Sequence, residues 1–244
     1  MRYKLIIEYD GAPFIGWQRQ TGQVSVQGVL EDALKIALRQ PVTVWGSGRT
    51  DTGVHAMAQV AHIEVKEKLN TYRLFESLNA LVRPYPVSIK RIEKVADEFH
   101  ARFSAKKRYY VYKIQNTPYP PSLNKNRVWW VRPELDLSKM QQAANLMLGK
   151  HDFSTFRASE CQAKSPVKTL DSFDIIKNGE VIECHISAKS FLHHQVRNMV
   201  GTLVLVGQGK WSVEKFKKAF EACDRTKGGP TAPPEGLYFE AVDY

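Results

Sequence analysis

Between two apolar, strand-like runs stands Gly46-Ser47-Gly48-Arg49-Thr50-Asp51-Thr52-Gly53-Val54-His55-Ala56. A carboxylate, a guanidinium, two threonine hydroxyls and an imidazole share a backbone that three glycines free for tight, unusual turns. No lysine follows the glycines, so this is not the loop that cradles nucleotide phosphates. Nor is it a calcium loop, which needs acidic or amide ligands at alternate positions, whereas Asp51 is the only one here. What remains is one acid two residues from one arginine. A guanidinium nearby lowers a carboxylate pKa by roughly 1–3 units, which would keep Asp51 ionised and able to act as nucleophile or base. A purely structural Asp–Arg turn is the alternative, and spacing alone leaves it open.

Two other segments carry chemistry. Residues 99–113 interleave Arg102, Lys106, Lys107, Arg108 and Lys113 with Phe99, Phe103, Tyr109, Tyr110 and Tyr112. Cations neutralise phosphates while rings stack on bases, so the pattern suits RNA; a charged turn leading into a strand with core tyrosines is compatible with it. Residues 124–132 repeat the pattern more weakly. In the apolar stretch 191–201, Arg197 needs an anionic partner. Asp51 is the first candidate and another acid the alternative. Cys184, His185, His193 and His194 do not read as a zinc site, because successive strand residues point to opposite faces and adjacent histidines rarely converge on one ion.

The elements that must position these groups follow from periodicity. Residues 3–9 alternate as a strand, with Tyr3, Leu5, Ile7 and Tyr9 on one face. Residues 25–40 read as a helix capped by Ser25, with Val26, Val29, Leu30, Ala33, Leu34 and Ala37 in one stripe and Pro41 beyond. Short strands near 42–45 and 58–66 bracket the polar loop; a helix near 72–82 and a strand near 87–95 follow. That order is the ferredoxin-like unit. The second half repeats it loosely: a strand at 110–114, a helix at 138–148 ending before Gly149, and strands at 172–177 and 181–189 joined by an Asn178-Gly179 turn. Helices at 194–206 and 212–223 and a strand at 237–243 complete it. The expected fold is α+β, with two ferredoxin-like halves, residues 1–103 and 104–244, forming a long, mostly antiparallel central sheet flanked by helices.

With 35 Lys+Arg against 25 Asp+Glu, the chain carries a net charge of +10, which favours a polyanionic partner such as nucleic acid. Three widely spaced cysteines suggest reduced thiols in a cytoplasmic protein. Early charges at the N-terminus argue against a signal peptide, and the most apolar run, 199–206, is too short to span a membrane.

Several segments together resemble the tRNA pseudouridine synthase A family. They are Gly16-Trp17-Gln18-Arg19-Gln20; Gly48-Arg49-Thr50-Asp51-Thr52-Gly53-Val54-His55; Phe99-His100-Ala101-Arg102-Phe103-Ser104-Ala105; Asp152-Phe153-Ser154-Thr155-Phe156-Arg157; the 191–201 block; and Gly236-Leu237-Tyr238-Phe239-Glu240-Ala241-Val242-Asp243-Tyr244. The resemblance implies isomerisation of uridines 38, 39 and/or 40 in the tRNA anticodon stem-loop, without metal or organic cofactor, by a cytoplasmic homodimer with a positively charged cleft. It implies Asp51 as the catalytic aspartate, Arg49 as the residue of base flipping and Arg197 as the partner of the aspartate. Tyr110 would pack on the target uracil; Tyr109 offers a competing alignment, but Tyr110 with Tyr112 keeps the family's Tyr-x-Tyr spacing. Arg102, Arg19, Gln20 and His55 complete the implied substrate-binding set. Two rivals lie outside that reading. A non-catalytic tRNA chaperone leaves the Arg49–Asp51 loop without purpose. A metal-dependent nuclease would want clustered carboxylates, and Asp51 has no acidic neighbour within twelve residues on either side.

Overall fold

The structure, a computed structural model, describes residues 1–244. In chain order its strands are β1 (Arg2–Tyr9), β2 (Trp45–Gly46), β3 (His55–Glu64), β4 (Val87–Val95), β5 (Lys107–Gln115), β6 (Trp129–Trp130), β7 (Gly149–Asp152), β8 (Val167–Asn178), β9 (Val181–Ala188) and β10 (Leu237–Asp243). The helices are α1 (Val26–Leu38), α2 (Thr71–Val82), α3 (Leu137–Asn145), α4 (Gln195–Gly207) and α5 (Val213–Glu221). The class is α+β, as the sequence implies. No helix is long and apolar enough to cross a membrane. The chain divides into two compact units, Met1–Lys106 with Tyr238–Tyr244, and Lys107–Leu237.

In the first unit the alternation of β1 buries Tyr3, Leu5, Ile7 and Tyr9. The Ser25 hydroxyl accepts the Gly28 N–H and starts α1, whose buried face holds Val26, Val29, Leu30, Ala33 and Leu34. Asn70 caps α2 in the same way and Leu74, Leu78 and Val82 face inward. The sheet runs β4-β1-β3, antiparallel throughout. The outer edge of β3 is shared: β10 lies parallel to it at His55 and Ala56, and β2 lies antiparallel at Ala61 and His62. The polar loop fills the gap between these two pairings.

Two local expectations shift here. The strand expected near 42–45 is confined to Trp45–Gly46. Side chains from α1 take the backbone groups that a longer strand would use: Glu31 Oε1 accepts the Val44 N–H at 3.1 Å, and Gln27 Nε2 donates to the Val44 carbonyl at 3.1 Å. The strand expected near 58–66 instead begins at His55, because β10 extends the pairing at that end.

In the second unit the sheet order is β5-β9-β8-β7, antiparallel, with β6 parallel to β5. Asp136 caps α3, which packs on α4 and β8. The hairpin turn sits one residue later than expected: Asn178 still pairs with Val181, and the two-residue loop is Gly179-Glu180. Gly179 has φ +62° while Glu180 has a negative φ, so glycine occupies the first loop position, as a type II′ turn requires. Helix α3 stops at Asn145, and Gly149 opens β7.

Candidate active site

The polar loop is held along its length. On one side the Ser47 N–H continues the β2–β3 ladder to the Val60 carbonyl at 2.7 Å. The Ser47 hydroxyl donates to Gln59 Oε1 at 2.7 Å, and Gln59 Nε2 donates to the Gly48 carbonyl at 3.1 Å. On the other side residues 14–17 lie against it: Trp17 N–H donates to the Thr50 carbonyl at 3.0 Å, Gly53 N–H to the Phe14 carbonyl at 3.3 Å, and the Thr52 hydroxyl to the Ile15 carbonyl at 2.9 Å. Gly16 and Asp51 form an isolated antiparallel bridge between the two segments.

Thr50 turns inward, where its hydroxyl meets the Tyr9 hydroxyl at 2.8 Å. Burial pushes the Tyr9 phenol up to about 12, against the opposing pull of its Thr50 and Gln59 hydrogen bonds, so Tyr9 is a neutral latch at any working pH. With Thr50 directed into the core, its neighbours at 49 and 51 turn outward, Arg49 exposed and Asp51 half-buried. A carboxylate on a backbone anchored at both edges is held in one place yet remains reachable.

His55 is only 2% exposed. Its Nδ1 accepts the Gly11 N–H at 2.9 Å, and Asp10 Oδ1 lies 3.1 Å from the same nitrogen. The ring stacks on Tyr238 of β10, with centroids 4.6 Å apart. These contacts make His55 part of the frame beneath the loop.

Arg19 and Gln20 lie exposed on the segment before α1. Arg19 reaches Asp32 at 3.0 Å and Glu31 at 3.2 Å, and these carboxylates raise its pKa, Asp32 most. Arg102 is exposed in the turn that leaves β4. In the second unit Tyr110 is half-buried, edge-on to Phe191 with centroids 5.1 Å apart. Arg197 is also half-buried, near the start of α4. Its Nε donates to the Ala232 carbonyl at 2.8 Å, and Ala232 N–H donates back to the Arg197 carbonyl at 3.1 Å, so the 228–233 segment sets the direction of the guanidinium.

Sequence reasoning gave Tyr9, Gln59 and Tyr238 no part in holding the loop and its frame, which the structure assigns to them. Gln59 left one signal, a lone amide within a largely apolar run, and the structure buries it fully.

A titratable pair lies at the far end of β3. His62 is 1% exposed, and its Nδ1 accepts the Ala101 N–H at 3.2 Å. Burial, then the charges of His100 and Arg2, push His62 down to about 4; His100 is lowered in the same direction, chiefly by burial. A folded pKa below the unfolded value of 6.5 means that the unfolded chain takes up the proton first on acidification. The His62 contribution to stability should therefore be full above pH 6.5 and be lost as the pH drops towards 4. Urea unfolding at a series of pH values checks this. His62→Asn, which keeps an acceptor for Ala101, should flatten that acid limb.

Similarity to known proteins agrees with these features. A family model described as tRNA pseudouridine synthase matches residues 5–104 and 143–244. A tRNA pseudouridine synthase A of Paramagnetospirillum magneticum is 53% identical over 243 residues, covering 100% of this chain and 95% of that protein. Proteins of the same description from Rhodopseudomonas palustris and Methylocella silvestris are 54% and 52% identical, covering 100% of this chain and 99% and 98% of their own. A solved Cbf5-Nop10-Gar1 complex aligns with 83% of this chain and 44% of its own, at a TM-score of 0.38 and 10% identity, too distant to carry weight. With the Arg49–Asp51 loop inside the first matched region and identity above one half across the whole chain, the protein belongs to the tRNA pseudouridine synthase family.

Proposed function

We propose that this chain converts uridine to pseudouridine in the anticodon stem-loop of tRNA, at positions 38, 39 and/or 40, with Asp51 as the nucleophile and no cofactor. The observation that carries the reading is Asp51 itself: a half-buried acid next to an exposed arginine, on a loop whose backbone is tied at both edges. The reaction breaks the N1–C1′ bond, turns the uracil and joins C5 to C1′. The hydrogen lost from C5 is balanced by one gained at N1, so no redox partner or energy source is needed. An anchored carboxylate suits covalent attack because its orientation is set in advance.

The target must leave its stack, at a cost of a few kcal/mol. Arg49 would fill the vacated space, Tyr110 would offer a face to the uracil, and Arg197 would orient the Asp51 carboxylate; these roles rest on the family resemblance. Arg19, Gln20, His55 and Arg102 complete the proposed binding set, with Arg102 on phosphate and His55 acting through the frame of the loop. The same resemblance supports a homodimer working in the cytoplasm.

The test is pseudouridine mapping in unmodified tRNA incubated with the protein in chelator. Product confined to the anticodon arm supports the reading. No product, with tRNA still bound, would favour the chaperone, and RNA cleavage restored by divalent metal would favour the nuclease. Arg102→Ala should weaken tRNA binding and reduce the slope of log K against log salt by about 1, through one lost phosphate contact. Filter binding across salt concentrations measures this, and an unchanged slope would remove Arg102 from the phosphate contacts.

A further inference from the structure

Where β2 pairs with the His62 end of β3, Trp45, His100 and Phe103 form a continuous row of rings. The His100 centroid lies 4.4 Å from that of Phe103 and 6.3 Å from that of Trp45. His62 supports the row from within, 4.6 Å from His100 and stacked 6.4 Å from Trp45. Phe103 is 76% exposed and Trp45 51%, so the outer faces of the row stand in solvent. The Arg102 guanidinium lies over the Phe103 ring at 5.6 Å.

The turn that presents His100, Arg102 and Phe103 is hydrogen-bonded along its length. His100 Nδ1 accepts the N–H groups of Arg102 and Phe103 at 3.1 and 3.3 Å. His100 N–H donates to the Ser104 hydroxyl at 2.9 Å, and Ser104 N–H donates to the His100 carbonyl at 2.9 Å. Ala101 is pinned on both sides, its N–H by His62 and its carbonyl by the Tyr244 hydroxyl at 2.8 Å. Arg2 donates to the Phe99 carbonyl and pairs with Glu64. A turn tied at every residue that nonetheless leaves a phenyl ring and a guanidinium outside is pre-organised to receive something flat and anionic.

We propose that the Trp45–His100–Phe103 row is a second RNA subsite, on which one or two unpaired bases of the bound tRNA stack while Arg102 meets the adjoining phosphate. The proposal rests on the pseudouridine synthase reading for the identity of the RNA. Paired bases hide their faces, so the occupant is a loop or flipped-out nucleotide rather than a duplex. The net charge of +10 and the cation on the Phe103 ring favour RNA over an apolar protein partner. His62, which backs the row, lies seven positions along β3 from His55, roughly 23 Å at strand rise.

Trp45→Ala and Phe103→Ala are the variants, with Trp45→Phe and Phe103→Tyr as ring-preserving controls. Affinity for tRNA is measured by filter binding at several salt concentrations, turnover by pseudouridine formation, and assembly by sedimentation. Each alanine variant is expected to weaken binding about tenfold, to raise KM rather than lower kcat, and to leave the salt slope intact; the ring-preserving variants restore binding. Unchanged affinity in the alanine variants, or a failure of the controls to restore it, overturns the subsite. So does a loss of affinity that tracks a change in sedimentation, which would make the row a protein interface. If the wild type makes no pseudouridine yet Phe103→Ala still loses tRNA affinity, the functional reading fails and the subsite stands. If the wild type is active and Phe103→Ala leaves affinity untouched, the functional reading stands and the subsite fails.

Discussion

Asp51→Asn is expected to yield a folded protein that still binds tRNA and forms no measurable pseudouridine. The amide has nearly the shape of the carboxylate, and the main-chain contacts at this position do not depend on the side chain: the bridge to Gly16 and the hydrogen bond from Val54 N–H to the Asp51 carbonyl at 3.1 Å both remain. What disappears is the proposed nucleophile, and losing a group of that kind costs about 10⁴-fold or more in turnover. Pseudouridine has the mass of uridine, so the assay should follow tritium released from C5-labelled uridine in tRNA. Thermal melting and filter binding would show the fold and the complex intact. Residual turnover above about one part in a hundred would take the nucleophile away from Asp51, since removal of a reacting group does not leave so much.

Gly16→Ala should disable the same loop from outside it. Gly16 has φ +108°, a conformation that L-residues with side chains rarely adopt, and an added Cβ would lie 2.4 Å from the Thr50 carbonyl oxygen. That oxygen accepts from Trp17 N–H, so relieving the overlap means separating the two segments that bracket Asp51. The expected cost is about 2–4 kcal/mol of stability from strain and lost pairing. Activity should drop about 100-fold even at temperatures where the protein is folded, because a shift of about 1 Å in a reacting group has that effect. Urea unfolding with single-turnover kinetics below the melting temperature separates the two losses. A variant of wild-type stability would show that the close approach is not needed.

The two substitutions also show where the sequence was informative. The group that Asp51→Asn removes could be read directly from residue types, because an isolated acid beside an arginine among glycines is a local pattern. The contact that Gly16→Ala breaks could not, although Gly16 belongs to a recognisable motif. Its requirement comes from a carbonyl 34 positions further along the chain, and such proximity leaves no periodicity.

The same division runs through the fold. Alternation in β1, the Ser25 cap of α1 and the apolar stripe of α2 were legible because they depend on neighbours within a turn of helix or a pleat of strand. The early end of β2 was not, since Gln27 and Glu31 capture the Val44 backbone from another element. The parallel contact of β10 with His55 and Ala56 joins residues more than 180 positions apart, and only the folded chain brings Tyr238 onto the His55 ring. The aromatic row is a further case: residues 99–113 announced rings and cations, but Trp45 joined Phe103 only through the pairing of β2 with β3 and the His62 contact to the turn. By itself the sequence determined the α+β class and the family, and it singled out the carboxylate proposed to do the chemistry, because each rests on local pattern or on residue identity. The tertiary structure alone decided what holds that carboxylate in place and which exposed rings stand together, because both arise from contacts between segments remote in the chain.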